Sequence, residues 1–213
     1  MKNEIIGRKI GMTQVFGDKG VVIPVTVVEA GPCTVVQIKN MEKDGYDAVV
    51  VAFEEIKKQR ATGARTGIFK KANTSPKRVL REFRLDEPAT VAVGDIVSAD
   101  VFKSGDIVDV TARTKGRGFT GTIKRWNFNR QRETHGNSRS VRVPGSLGSN
   151  SDPSRVFKNK KMPGQYGNEQ VTIQNLTIVR VDKDKNAILV KGGIPGPNGI
   201  LVSIKTAVKG GKK

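Results

Sequence analysis

Gly116, Gly118 and Gly121 stand in "KGRGFTG" at the G-x-G-x-x-G spacing. With that spacing a strand-to-helix turn brings backbone N–H groups against a dinucleotide pyrophosphate. The chemistry has a context: a strand before, an apolar helix after, and an acidic residue about twenty positions on to hold the ribose. "DIVDVT" supplies the strand. "TIKRWNFNRQRETHGN" soon loses apolar periodicity, and no carboxylate stands between Glu133 and Asp152. A "GKS" or "GKT" phosphate loop is also missing. Lys115 and Arg117 interleave with the glycines, so the stretch suits a phosphate of another kind.

Other catalytic chemistry finds little support. His135, in "ETHGNS", is the one histidine, and Cys33 is the one cysteine. A metal would need further ligands and a general base would need a nucleophile and an orienting partner. A single cysteine forms no internal disulfide and no cysteine-rich metal knuckle, and Cys33 in "VVEAGPCTVVQI" reads as a small buried hydrophobe. The expectation is a chain with no catalytic residue, no metal site, no cofactor and no small-molecule substrate.

The charge points elsewhere. Among 213 residues, 38 Lys and Arg oppose 20 Asp and Glu, a net charge of +18, and the pI is near 10.2. Residues 57–84 carry a net +9 and residues 110–165 a net +11, while the rest sums to −2. Like charges so concentrated repel one another unless a polyanion relieves them. Nucleic acid fits first, an anionic membrane surface second. No amphipathic helix of useful length, signal-type leader or long apolar run is visible, so a soluble intracellular protein without a membrane partner is expected.

The elements that must position these cations read mainly as β-structure. Glu4–Glu29 has the pattern of a hairpin around "GDKG". "TVVQIKN" and "YDAVVVAFEE" form a second hairpin around the Asp-Gly signal of "MEKDG". "TVAVGDIVSADVF", "GDIVDVTART", "VTIQNLTIVRVD", "AILVKGGI" and "GILVSIKTAV" add strands separated by short turns. This is the pattern of an all-β barrel or sandwich rather than of βαβ units. Helix is expected only within the basic insertion at about 57–84, at Pro76–Phe83 with Ser75 as N-cap.

Residues 126–165 have no sustained period and are rich in Gly, Asn, Ser, Pro and Arg. Forty such residues do not belong inside a compact domain. Turn signals at Pro144-Gly145, Leu147-Gly148 and Asp152-Pro153 suggest that the chain goes out and returns. Twenty residues each way reach about 65 Å when extended. The domain reading is therefore a β-barrel from 1–125 plus 166–213, with 126–165 as an inserted finger ordered by RNA.

Arg and Lys supply salt-sensitive phosphate contacts, Gly permits close backbone approach, and Asn, Ser and His hydrogen-bond bases and 2′-hydroxyls. The candidate RNA-binding residues are Lys115, Arg117, Lys124, Arg125, Trp126, Arg130, Arg132, His135, Asn137, Arg139, Arg142, Ser146, Ser149, Asn150, Arg155, Lys158, Lys160 and Lys161 in the second basic segment. Lys70, Lys71, Lys77 and Arg78 join them from the first. Trp126, Phe128 and Tyr166 either stack on bases or plug the barrel rim.

The chain resembles bacterial large-subunit ribosomal protein L3, nearly end to end. "IGRKIGMTQVF" with "IPVTVVEA", the run from Phe102 through Gly116-Arg117-Gly118 to Arg125, "IKRWNF", "THGNS", "RVPGS", "RVFKNKKMPGQYGNEQVT" and "VKGGIPGPNG" are each similar to that family's motifs, in order. The resemblance implies a translation-factor-like β-barrel with a long extension, bound to 23S rRNA among neighbouring ribosomal proteins in the cytoplasmic large subunit. It further implies a role early in subunit assembly, and a loop tip at about Pro144–Pro153 that approaches and supports the peptidyl transferase centre. Some relatives carry a methylated glutamine near the tip; "GSLGSNSDP" has none, so that modification is not carried over. The alternative is a nonspecific nucleic-acid-binding protein or RNA chaperone.

Overall fold

The computed structural model describes residues 3–17, 20–86, 88 and 90–209. In chain order it contains β1 (Glu4–Phe16), β2 (Val22–Ala30), β3 (Cys33–Lys39), the one-turn α1 (Met41–Asp44) and β4 (Ala48–Glu55). Then come α2 (Gly63–Lys71), β5 (Lys77–Arg84), β6 (Ile96–Val97), β7 (Ile107–Arg113), β8 (Gly118–Thr120) and α3 (Thr122–Trp126). The chain closes with β9 (Gly164–Tyr166), β10 (Gln170–Asp182), β11 (Ala187–Lys191) and β12 (Leu201–Thr206). Two compact units result: residues 1–113 with 170–213, and residues 114–169.

The first unit is built on a closed barrel in the order β1-β12-β7-β10-β11-β2, with every pairing antiparallel. The mainly β expectation holds, and its cause is visible in the pattern. Alternate residues Val108, Val110 and Ala112 of β7, and Val202 and Ile204 of β12, point inward beside Ile5, Val28, Ile178, Ile188 and Val190. Inward β-branched side chains at a period of two fill a barrel of this size. Gly7 belongs to the same logic: a Cβ there would stand 2.5 Å from the Glu29 carbonyl oxygen, so only glycine allows β1 and β2 to close.

A four-stranded sheet in the order β5-β4-β3-β6 completes this unit. Both expected hairpins form. β1 pairs with β2 from Gly7↔Ala30 to Phe16↔Val22, although Asp18 and Lys19 of the "GDKG" turn lie outside the described residues. β3 pairs with β4, joined not by a simple Asp-Gly turn but by α1, which Gly45 ends in the left-handed region at φ 78°. "TVAVGDIVSADVF" yields less strand than expected, only the two residues of β6 and a short 3-10 turn at Ala99–Val101.

The helix expected at Pro76–Phe83 is not there. Lys77–Arg84 is strand β5, paired along β4 from Glu55↔Lys77 to Ala48↔Arg84. Helix occurs earlier, at Gly63–Lys71, where Phe69 packs with Val36, Ala52, Ala72 and Leu80. Tertiary pairing overrides the local capping signal: β4 offers an open edge, and Phe83 reaches the core only from a strand. Part of the +9 counted over residues 57–84 is also relieved. Lys77 lies 3.0 Å from Glu55 and Arg78 lies 3.4 Å from Glu54, both across strands, whereas Glu82, the carboxylate already counted in that +9, is taken at 2.7 Å by Lys39 from outside the segment.

Candidate nucleic-acid interface

The unit of residues 114–169 holds twelve Lys and Arg against Glu133, Asp152 and Glu169. Among its described residues Arg130–Glu133 is the one ion pair. Its regular structure is slight: β8 and β9 pair antiparallel from Gly118↔Tyr166 to Thr120↔Gly164, and α3 follows β8 directly. The glycine triplet is thus set in an antiparallel ribbon followed by a five-residue helix, without the parallel strand and long helix that a dinucleotide fold requires.

Gly167 locks the base of this unit. Its φ is +73°, and a Cβ there would stand 2.0 Å from the Lys115 carbonyl oxygen. Arg117 N–H donates to the Tyr166 carbonyl at 2.9 Å, and Thr114 N–H to that of Glu169 at 2.9 Å, so outgoing and returning chain are joined by backbone bonds. A second tie follows at α3. The Met162 carbonyl accepts from Arg125 Nη1 and from Trp126 Nε1, both at 2.9 Å. The Arg125 guanidinium lies 4.9 Å and Lys161 Nζ 5.7 Å from the Trp126 ring centre. Trp126 therefore spends its N–H within the protein while keeping 38% of its surface exposed. Tyr166 keeps 39%, and Phe128 is half-buried.

From Asn127 to Pro163 the backbone has no strand or helix, so local side-chain bonds shape it. Asn137 Nδ2 donates to the Arg132 carbonyl at 2.7 Å and to Gln131 Oε1 at 3.2 Å, while Asn137 Oδ1 accepts from Ser140. These bonds spend much of the Asn137 amide on the loop itself. His135 sits at φ 61°, its Nδ1 3.0 Å from Thr134 Oγ1, and is exposed. Ser146 donates to the Gly148 carbonyl at 3.0 Å. Lys115, Arg117, Lys124, Arg130, Arg132, Arg139, Arg142, Ser149, Asn150, Arg155, Lys158, Lys160 and Lys161 are all exposed, and Arg125 is half-buried.

Lys70, Lys71, Lys77 and Arg78 belong to the barrel unit: the first two are exposed on the last turn of α2, the other two start β5 and are ion-paired. Two apolar residues escaped the sequence reading. Phe119, inside "KGRGFTG", is 80% exposed and Phe157 is 65% exposed. A large apolar side chain left in solvent among cations suits stacking on a base. The signal in the sequence was their position between cationic residues with no periodic partner. What the unit offers chemically is many separate cations, exposed aromatic faces and glycine-rich backbone. A family model described as ribosomal protein L3 matches residues 81–187, half of the chain, spanning the whole cationic unit.

Proposed function

Since the chain belongs to the ribosomal protein L3 family, we propose that it works as a non-catalytic architectural protein that binds 23S rRNA within the large ribosomal subunit of the cytoplasm. The observation that carries this reading is the charge imbalance of residues 114–169: twelve cations, three carboxylates and a single internal ion pair. Such a unit is stabilised by phosphate and repelled by itself without it. In this reading residues 126–165 are the RNA-bound part and the barrel is its support. Lys70, Lys71, Lys77 and Arg78 add phosphate contacts from the first basic segment. Binding early in assembly lets the rRNA fold around the irregular segment, and the tip at about Pro144–Pro153 supports the peptidyl transferase centre from outside its chemistry. Neighbouring ribosomal proteins share the same RNA.

The test is the salt dependence of rRNA affinity. Neutralising about ten phosphates gives a slope of log affinity on log salt of roughly −7 to −9. A slope shallower than about −2 excludes this electrostatic account. Random duplexes bound as tightly as 23S rRNA would instead favour a nonspecific binder or RNA chaperone.

A further inference from the structure

Four arginines that lie far apart in sequence converge in the barrel unit. Arg8 of β1, Arg78 and Arg81 of β5, and Arg113 of β7 line one cleft of about 360 Å³, together with Glu54 of β4 and Gln170 of β10. One carboxylate among four guanidinium groups leaves a local excess of three positive charges. Glu54 divides its oxygens between two of them, Oε2 at 2.6 Å from Arg8 Nη2 and Oε1 at 3.4 Å from Arg78 Nη1. The remaining face of Arg8 is fixed by Nη1 donating to the Gly199 carbonyl at 3.0 Å. Glu54 holds this place at φ 62°, inside a strand. That is a conformation a non-glycine residue rarely adopts.

Arg81 and Arg113 have no ion-pair partner among the described residues, and both are exposed. Arg8 is therefore held by two partners, Arg78 touches Glu54 once, and two guanidinium forks are left free on the same cleft. Planar forks with parallel N–H donors match the oxygens of a phosphodiester, and the Gln170 amide adds a neutral donor at the rim. Repulsion among the four cations is what a bound anion would offset.

We propose that this cleft is a phosphodiester-binding site that seats a segment of RNA backbone on the barrel unit. Arg81 and Arg113 engage phosphate oxygens, and Glu54 is a positioning residue that orients Arg8 and Arg78. The proposal rests on the reading of the chain as an rRNA-binding protein and deepens it, joining Arg78 and Arg81 of the first basic segment to Arg8 and Arg113 in one defined site.

The test uses the full-length chain and a 23S rRNA transcript, with affinity measured across a salt series. The Arg81→Gln/Arg113→Gln pair is expected to weaken binding about tenfold near 0.1 M salt and to flatten the log–log slope by about 1.5, the effect of two lost phosphate contacts. Arg81→Lys/Arg113→Lys keeps the charge and is expected to keep the slope while losing several-fold in affinity, because an ammonium lacks the fork. The lysine pair also covers the case in which the glutamine pair folds poorly. As a comparison, Arg142→Gln/Lys160→Gln flattens the slope through the cationic unit. If that comparison pair loses slope while both cleft pairs bind like the parent chain, the cleft is no RNA site and the general reading stands. If none of the variants changes slope or affinity, cleft and general reading fall together. Unchanged rRNA binding combined with lost binding of poly-glutamate would assign the cleft to an acidic protein segment and overturn the proposal.

Discussion

The Cys33 thiol lies fully buried at the start of β3, donating to the Ile6 carbonyl at 3.4 Å, and burial pushes its pKa up to about 11. The folded state thus keeps a proton that the unfolded chain gives up near pH 9. Stability from this group is complete below pH 9 and is lost as pH rises towards 11. Against a Cys33→Ala variant, the parent chain is expected to lose up to about 3 kcal/mol across that window, read from urea melts at stepped pH. Native Cys33 is also expected to resist thiol reagents until the chain unfolds. The sequence reading of Cys33 as a small buried hydrophobe thus matches its surroundings. Asp109 could not be read that way. It is 1% exposed in a core strand, where its Oδ1 accepts from Asn175 N–H at 3.0 Å and its Oδ2 from Val208 N–H at 3.3 Å. Asn175, at φ 59°, sits where the β10 register shifts against β7, so the carboxylate satisfies a β-bulge that no local pattern announces. Asp109→Ala removes the acceptor of two part-buried backbone donors, Asn175 N–H and Val208 N–H. A loss of about 2–4 kcal/mol in chemical denaturation is expected.

At the scale of elements, legibility followed the source of the signal. The hairpins of β1–β2 and β3–β4 carry their own turn residues and alternation, so they were readable locally. β5 was not, because the Ser75-Pro76 start imitates a helix cap and the decisive partner, β4, lies more than twenty residues earlier in the chain. The local contacts that shape the cationic unit were likewise hidden, since "KGRGFTG" and "QYGNE" reveal nothing of their mutual approach. Gly167 makes that approach testable. Gly167→Ala places a Cβ against Lys115 O and forces an L side chain to φ +73°. The expected result is local rather than global: amide exchange at Arg117, whose N–H donates to Tyr166 O, accelerates at least about tenfold. The barrel amides of β7 and β12 keep their protection. Equal acceleration in the barrel would mean that the two units open together.

At the scale of the whole molecule, composition located the cations but not their geometry. The run of charge at 110–165 is contiguous in sequence and was visible at once. The cleft of Arg8, Arg78, Arg81 and Arg113 assembles from three strands and leaves no trace in any window of the chain. The division of the protein can be tested from the pairing itself. Arg113 of β7 and Gln170 of β10 are register partners on adjacent barrel strands, so the chain leaves and re-enters at neighbouring points. Residues 114–169 can then be replaced by Asn-Gly, the two-residue sequence suited to a tight antiparallel turn. The barrel strands on either side continue their ladder across that turn, and the shortened chain keeps +9 of the original +18. A cooperative thermal transition and β-type circular dichroism are expected to survive, because the buried side chains of the main core all lie outside the deleted stretch. Affinity for 23S rRNA is expected to fall by at least about a thousandfold near 0.1 M salt, with a shallower salt slope supplied by the barrel cations alone. A shortened chain that fails to fold would show that the barrel needs the inserted unit. One that folds and binds rRNA undiminished would move the RNA contact to the barrel.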